Sequence, residues 1–583
     1  MVARSPASAD PGRTRPAWLL PVLVGAFTTA VYCAFSWSQW IRWDVPSWDN
    51  AIFTQLLSAY ASGHAPIVDI KGHGFNLLGD HFHPLLIVLA PIYAVFPSAL
   101  TLMILQDVLF GSSAAVVTRC ALYVLRPAPA VAIGVAYAAS FGLQNAVAVQ
   151  FHEIALAVPL LALGLCALRE RRWRAAALWS VPVALVKEDL GVTVAAIGAL
   201  MLGHALVPFA RGWSRAVRRR WAEFRAYTHR GAGRSAAHVH STEDRVTADA
   251  RHDGDRGARQ TSEDPARAVL RDPAARWGAA LMVWGVLASA LAVGVILPAL
   301  NPAGEFAYSD KIDLALLLRD PTSVVVLQVV PVEKLVTWLL LLLIGAVVAV
   351  RSPLALVALP TLAWRMLSPN HGYWGPGWHY SAVLMPVVFV ALVDAIDRLR
   401  NDADRAGKAG SDVAVRDGPA HRRTAGDHAG SGASNGRLTR DRSPFLPGEG
   451  AVLRTMARAA PWAALVVALA VGTQQPLAQL ATAEAWQPDP RHDAKAAAVE
   501  RIPHGASVAT DLSLMNGLVS TTRVHWIGNG DDPAPEYVVV DRLGGTWSGE
   551  PPADVTGYAR DMYGAGYTVV SDEANIVVAR RSA

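Results

Sequence analysis

Three cysteines in 583 residues leave no disulfide framework and no CxxC metal site. Cys33, Cys120 and Cys166 each fall inside an apolar run, where packing is their expected role. Charge is scarce as well: 17% of residues are Asp, Glu, Lys or Arg, too few for a soluble chain of this length. No Gly-rich nucleotide-binding loop is present. The first apolar run, Trp18 to Ser36 after Arg4, Arg13 and Arg15, lacks an A-x-A-like cleavage site, which points to an uncleaved signal anchor. The net charge of +5 does not point to nucleic acid, because the Arg-rich stretches lie between apolar runs, where cytoplasmic retention explains them.

What the chain has instead is hydrocarbon. It is 52% hydrophobic, with a mean hydropathy of +0.28. Runs long enough to cross a core of roughly 30 Å recur, so the fold class is an all-α polytopic membrane protein. About eleven spans are expected, at 18–36, 98–125, 128–147, 154–168, 174–187, 190–208, 276–297, 334–350, 353–367, 380–397 and 457–476. The interval 84–96, "PLLIVLAPIYAVF", is too short to span and reads as a helix lying at the interface.

Basic residues near span ends set the orientation. "RERRWR" (169–174), "RGWSRAVRRRW" (211–221), Arg351 and "DRLRNDADR" (397–405) fall on one side. The other side holds scattered cations such as Arg42, Lys71, Lys311 and Arg319. A multi-pass plasma-membrane protein with a cytoplasmic N-terminus and an extracytoplasmic C-terminus follows. The expected organisation is a cytoplasmic tail (1–17), a membrane module (18–208), a disordered cytoplasmic loop (209–275) and a second membrane module (276–397). A second disordered cytoplasmic loop (398–456), a last span (457–476) and an extracytoplasmic α/β domain (477–583) complete it. In the last region "ASVAT", "EYVVVD", "YTVVS" and "NIVVARR" read as strands, and "DPRHDAKAAAVERIP" as a helix.

On this topology the unusual ionisable groups gather on the outer face. They are Asp49 with Asn50 in "SWDNAIF", Asp80, His81 and His83 in "NLLGDHFHPLL", and His152 with Glu153 in "QFHEIALAVP". Lys187, Glu188 and Asp189 in "LVKEDLG", and His371 and His379 in "SPNHGYWGPGWHY", join them. Ionisable groups at membrane depth are costly, about 2.5–3.5 kcal/mol each on insertion scales, so they pair or line a cavity. Each has a plain structural alternative. Asp49 can cap a helix beginning at Asn50, and Asp80 with its histidines can be a loop solvated by headgroups. Glu153 can favour a helix N-terminus, Lys187 and Glu188 can neutralise each other, and the aromatics around His379 can be an interfacial belt. Their convergence on one face is what these alternatives leave unexplained. The spacing in "DHFH" is not that of a helical zinc site. A hard divalent cation such as magnesium or manganese, held by Asp80 and a phosphate, is the metal reading open to it.

"WDNAIFTQLL", "NLLGDHFHPLLIVLAPIYAVFPSALTLMILQ", "FHEIALAVPLLAL", "LVKEDLG" and "HYSAVLMPVVF" closely resemble a prokaryotic membrane family, domain of unknown function number twenty seventy-nine. That family in turn resembles the GT-C glycosyltransferases, which use polyprenyl-phosphate sugars. The likeness lies in layout: a span, a long outer loop opening with an acid, a proline-led interfacial helix, a span ending in Arg or Lys, a second acidic loop and an outer C-terminal domain. Here those features fall on Asp49, "HFHPLL", Arg119 or Arg126, Glu153 and residues 477–583, with the departure that Asn50 stands beside Asp49 in place of a second acid.

The resemblance implies a transferase taking a lipid-linked sugar to an envelope glycan, lipid or protein acceptor among membrane lipids. Asp49 and Glu153 are then the catalytic candidates. Asn50, Asp80, His81, His83, His152, Lys187, Glu188 and His379 are the substrate-binding ones. Within that set Asp49 is the expected general base, and Lys187, His81, His83 and His152 are placed to hold a phosphate. Glu153 or Asp80 would orient the acceptor or bind an ion. Two other classes stay open: a transporter or flippase, for which no internal repeat is found, and a non-catalytic envelope assembly protein docking through residues 477–583.

Overall fold

The computed structural model describes residues 18–207, 269–307, 330–416, 448–544 and 550–583, with positions 221, 319, 320, 322 and 326. The tail 1–17 and most of the two loops expected to be disordered, 209–275 and 398–456, lie outside the described residues. The edges of those loops are helical. One helix runs unbroken over Leu384–Arg416 into the second loop, and the helices that follow the first and second loops begin at Pro273 and Glu449.

Among the described residues, six helices are long and apolar enough to cross a membrane: Leu19–Ile41, Ala99–Leu122, Pro127–Ala148, Leu190–Val207, Pro273–Leu300 and Glu449–Gly472. Of the other five expected spans, four are shorter or interrupted and one opens a longer helix. Residues 154–168 become a helix of 13 residues, Ala157–Arg169, and 380–397 become the start of Leu384–Arg416. Residues 334–350 give Val332–Ile344 and then a 3-10 turn, Val348–Arg351. Prolines divide the remaining two. Trp173–Ser180 gives way to the 3-10 segment Val181–Leu185 at Pro182, and Pro353–Ala358 is 3-10 before Leu359–Leu367. A proline ring removes one backbone donor and crowds the preceding turn, so a uniform apolar run does not give a uniform helix.

Between the first two long helices lies an extended connection. It holds the helix Asp49–Ala61, an isolated bridge between Ile67 and Asn76, and the short helix Pro84–Val95. That short helix buries Leu86, Leu89 and Tyr93 and exposes Ile87, Val88, Ile92 and Val95. An apolar exposed face on a helix too short to span suits the interfacial placement its length implies. One continuous core runs from Val24 through both membrane modules to Ala468 and on to Val508 of the C-terminal domain.

That domain is α/β. Its five strands are β1 (Ser507–Thr510), β2 (Arg523–Trp526), β3 (Tyr537–Asp541), β4 (Tyr567–Glu573) and β5 (Ile576–Arg581), in the order β2-β1-β3-β5-β4. β1 pairs in parallel with β2 and β3, while β3–β5 and β5–β4 are antiparallel. β4 and β5 meet through Ala574 and Asn575, both at positive φ (51° and 66°), the tight turn whose twist matches the strands it joins. β2, "RVHW", is the strand the sequence reading missed: four residues with one charge give little alternation.

The domain sits on the connection 44–98. Gln55 Nε2 donates to the Val524 carbonyl (3.1 Å), His73 N donates to Asp532 Oδ1 (2.7 Å), and Trp48 meets Trp526 edge to face at 5.9 Å. Asn516 Nδ2 also donates to Gln150 Oε1 (2.9 Å), which ties the domain to the turn before His152.

Two close approaches place the loops of this end. At Gly79, a Cβ would lie 2.4 Å from the Leu300 carbonyl oxygen, and Asn301 Nδ2 donates to the Gly79 carbonyl at 3.0 Å. At Gly142, a Cβ would lie 2.7 Å from the Ser381 carbonyl oxygen, just beyond His379. Gly79→Ala is expected to push the segment Asp80–His83 off the end of the helix Pro273–Leu300, lowering stability by about 1–3 kcal/mol, as overpacking does. Thermal unfolding in detergent checks this, and an unchanged midpoint would mean that the loop has room to give.

Candidate active-site cavity

A cavity of about 1000 Å³ lies at the end of the bundle that carries the connection 44–98. Its lining comes from five stretches far apart in sequence: 48–53, 71–83, His152, 187–192 and 360–380, with Ser289, Val293 and Phe306. Of the residues singled out above, it brings together Asp49, Asp80, His81, His83, His152, Lys187, Glu188, Asp189 and His379. Asn50 and Glu153 are not on the wall. Asn50 is buried and donates from Nδ2 to the Ala99 carbonyl at 3.3 Å. Glu153 is fully buried behind His152 and Lys187, touching both.

Asp49 opens the helix Asp49–Ala61, whose start is thus one residue earlier than the capping alternative needs. Trp48 stands at the cap position, with no side-chain cap bond. The Asp49 carboxylate instead accepts from Ser47 Oγ at 2.9 Å and faces the cavity half-buried.

The pairing of charges differs from the one adjacency in sequence suggests. Lys187 Nζ donates to Glu153 Oε1 at 2.7 Å, across two turns, and not to its neighbour Glu188. Glu188 turns the other way. His81 Nδ1 lies 2.9 Å from its Oε1 and Phe82 N donates to its Oε2 at 3.1 Å, which fixes the "DHFH" loop. Burial would raise both carboxyls, but His152 and Lys187 outweigh it at Glu153 and His81 outweighs it at Glu188, holding each below the usual carboxylate range. Asp80 is paired with Lys71 at 3.1 Å.

The imidazoles form a second set. His152 and His379 stack at 3.3 Å between ring centroids, and Phe53 meets both His83 and His152 edge to face. Burial, with the charges of His152 and Lys187 added at His379, holds His83 and His379 below the ordinary histidine range, so both are neutral at pH 7. Among the described residues, neither ring nitrogen of His83 or His379 has a hydrogen-bond partner, although both side chains are buried. Buried polar atoms of that kind are rare and are satisfied when a ligand or water fills the space beside them. The backbone supports this wall under strain. Gln150 and Trp378, two residues and one residue before the stacked histidines, hold φ of 68° and 63°, each disfavoured by about 1–3 kcal/mol.

Three aromatic wall residues, Trp364, Tyr373 and Tyr380, escaped the sequence reading; Asp189, which lines the cavity with them, did not. Asp189 accepts from Trp364 Nε1 at 2.9 Å. Trp364, Tyr373 and Tyr380 meet one another edge to face at 5.3, 5.9 and 5.0 Å. Arg365, fully buried, donates from Nε to the Tyr373 carbonyl (2.9 Å), from Nη2 to the Gly375 carbonyl (2.9 Å) and from Nη1 to Ser381 Oγ (3.1 Å), and so shapes the loop that presents His379. The available signal was an arginine inside the apolar run "LPTLAWRML", since an ionisable residue there needs a polar partner.

Among the described residues, no group of three or more His, Cys, Asp or Glu side chains is placed to hold an ion. The Asp80 carboxylate proposed for one is committed to Lys71.

Fold and cavity define a polytopic membrane protein with a polar cavity beside a small α/β domain. The chain belongs to the family described as "Predicted membrane protein (DUF2079)", which matches residues 45–409. The crystal structure of ArnT from Cupriavidus metallidurans bound to undecaprenyl phosphate is similar at 12% identity and a TM-score of 0.45, over 96% of this chain and 97% of that one. No curated protein matches the sequence.

Proposed function

We propose that the chain is an integral membrane glycosyltransferase that moves a sugar from a polyprenyl-phosphate donor to an acceptor of the cell envelope. The observation that carries this reading is the meeting of Asp49, the histidines and Lys187 in one cavity, with Glu153 paired to Lys187 behind the wall. Part of the wall is apolar, with Ile52, Val192, Val293 and Phe306, so an isoprenoid chain and a polar head can occupy the cavity together. In the reaction, the acceptor oxygen forms a bond to the sugar C1, the bond from C1 to the phosphate oxygen breaks, and Asp49 takes the acceptor's proton. Polyprenyl phosphate departs with the bonding pair. The imidazoles of His81, His83, His152 and His379, with the Lys187 ammonium, are placed to accept its developing charge.

The test is sugar transfer by the purified protein in proteoliposomes from a radiolabelled polyprenyl-phosphate sugar to an envelope extract. Labelled acceptor above the protein-free background is the expected result. Movement of the lipid between leaflets with the sugar still attached would replace this reading with a flippase.

Sidedness belongs to the same proposal. The basic bias puts the N-terminus and the segments around 211–221 and 398–405 in the cytoplasm. The C-terminal domain, and with it the cavity, then faces outward. Alkaline phosphatase fused after Ala583 is expected to be active and fused at Gly430 inactive. The reverse pattern would put the cavity on the cytoplasmic side and remove the need for a lipid-linked donor.

A further inference from the structure

Within the cavity the polar groups form two neighbourhoods that meet where the Tyr380 ring lies 4.2 Å from that of His379. One is the imidazole cluster with Lys187. The other is Asp189 with the three mutually packed rings of Trp364, Tyr373 and Tyr380. In the second, Trp364 Nε1 donates to Asp189 Oδ2 at 2.9 Å, fixing the carboxylate and the indole relative to each other. The other oxygen, Oδ1, is buried and has no hydrogen-bond partner among the described residues. A carboxylate oxygen can accept two hydrogen bonds, and a buried one left without any is disfavoured by about 1–3 kcal/mol. A ligand carrying hydroxyl donors relieves it. The three rings beside it line the cavity, and aromatic rings are suited to pack against the C–H face of a pyranose or furanose. This is the chemistry of a monosaccharide, which has hydroxyls on its rim and C–H groups on its faces.

We propose that Asp189, Trp364, Tyr373 and Tyr380 form the sugar subsite of the cavity, with Asp189 Oδ1 accepting from one or two sugar hydroxyls and the rings packing against the sugar face. The inference rests on the transferase reading. Asp189 acts here as a specificity-determining residue, selecting a sugar-bearing lipid over the bare lipid phosphate, and the imidazole cluster serves the phosphate.

Asp189→Asn separates the two roles. The single amide oxygen is taken by Trp364 Nε1, so the position of Oδ1 becomes an NH2 donor in place of an acceptor. The full chain in nanodiscs is titrated with bare polyprenyl phosphate and with polyprenyl phosphate carrying glucose, mannose, galactose or arabinose. The wild type is expected to bind at least one of the sugar-bearing lipids more tightly than the bare lipid. Asp189→Asn should lose about tenfold to a hundredfold of affinity for that lipid and keep its affinity for the bare one. Trp364→Phe keeps a ring but frees the carboxylate to rotate, and it should lose part of the same preference. It stands in if Asp189→Asn does not fold. An unchanged preference in Asp189→Asn, or in Trp364→Phe where it stands in, would overturn the subsite while leaving the transferase reading in place. A wild type that prefers none of the four sugars would overturn the subsite as well. Failure of the wild type to bind any of the lipids would overturn the transferase reading itself, and the subsite with it.

Discussion

Asp49→Asn is expected to reduce sugar transfer by about 10²–10⁴-fold, the usual loss when a general base is removed, with insertion, folding and donor-lipid binding unchanged. The geometry makes the variant informative. Asp49 makes no cap bond to its helix, and its bond from Ser47 Oγ can be accepted equally by an amide oxygen. Shape and local hydrogen bonding are therefore retained, and only the capacity to take a proton is lost. Asp80→Asn is the control. Its carboxylate is held by Lys71 at 3.1 Å, so its loss should loosen the loop and lower transfer by a smaller factor. Transfer assays in purified membranes, normalised to folded protein, compare the two. Full activity of Asp49→Asn would remove Asp49 from the mechanism and leave the transferase without its base.

Lys187→Met is expected to be the most destabilising single change at the site. Glu153 is fully buried, and Lys187 is nearly so. Removing one member of a buried ion pair strands the other charge, at about 3–5 kcal/mol, whereas removing both leaves none. The double variant Lys187→Met/Glu153→Leu should therefore recover most of the loss in thermal unfolding. Lipid binding at equal folded fraction then asks whether the ammonium also serves a phosphate. If it does, Lys187→Met and the double variant both bind polyprenyl phosphate weakly, while Glu153→Gln, which leaves the ammonium with one competing charge fewer, binds it at least as well as the wild type. Equal binding by Lys187→Met and Glu153→Gln, restored in the double variant, would make the pair purely structural.

Hydropathy is a local property, and local properties were legible. The apolar runs behind the six long helices, the short apolar helix Pro84–Val95 and four of the five C-terminal strands stand in the sequence. So did most of the polar residues of the cavity wall, because charges beside membrane spans are conspicuous wherever they occur. Helix continuity was less legible. Pro182 and the prolines at 353 and 360 divide runs whose average hydropathy is uniform, since a lost backbone donor does not register in a hydropathy average.

Partnership could not be read at all. Lys187 stands beside Glu188 in the chain yet bonds Glu153, because 3-10 geometry before it and a helix start after it turn neighbouring side chains apart. Arg365 and Trp364 looked like part of a span until packing set one against the loop 373–381 and the other against Asp189. Composition and periodicity determined that this chain lives in a membrane, with ionisable groups gathered in a few short segments. Which of those groups pair, which line the cavity and which oxygen is left for a ligand were decided by tertiary structure. Those outcomes depend on contacts between segments up to hundreds of residues apart, and no local pattern encodes them.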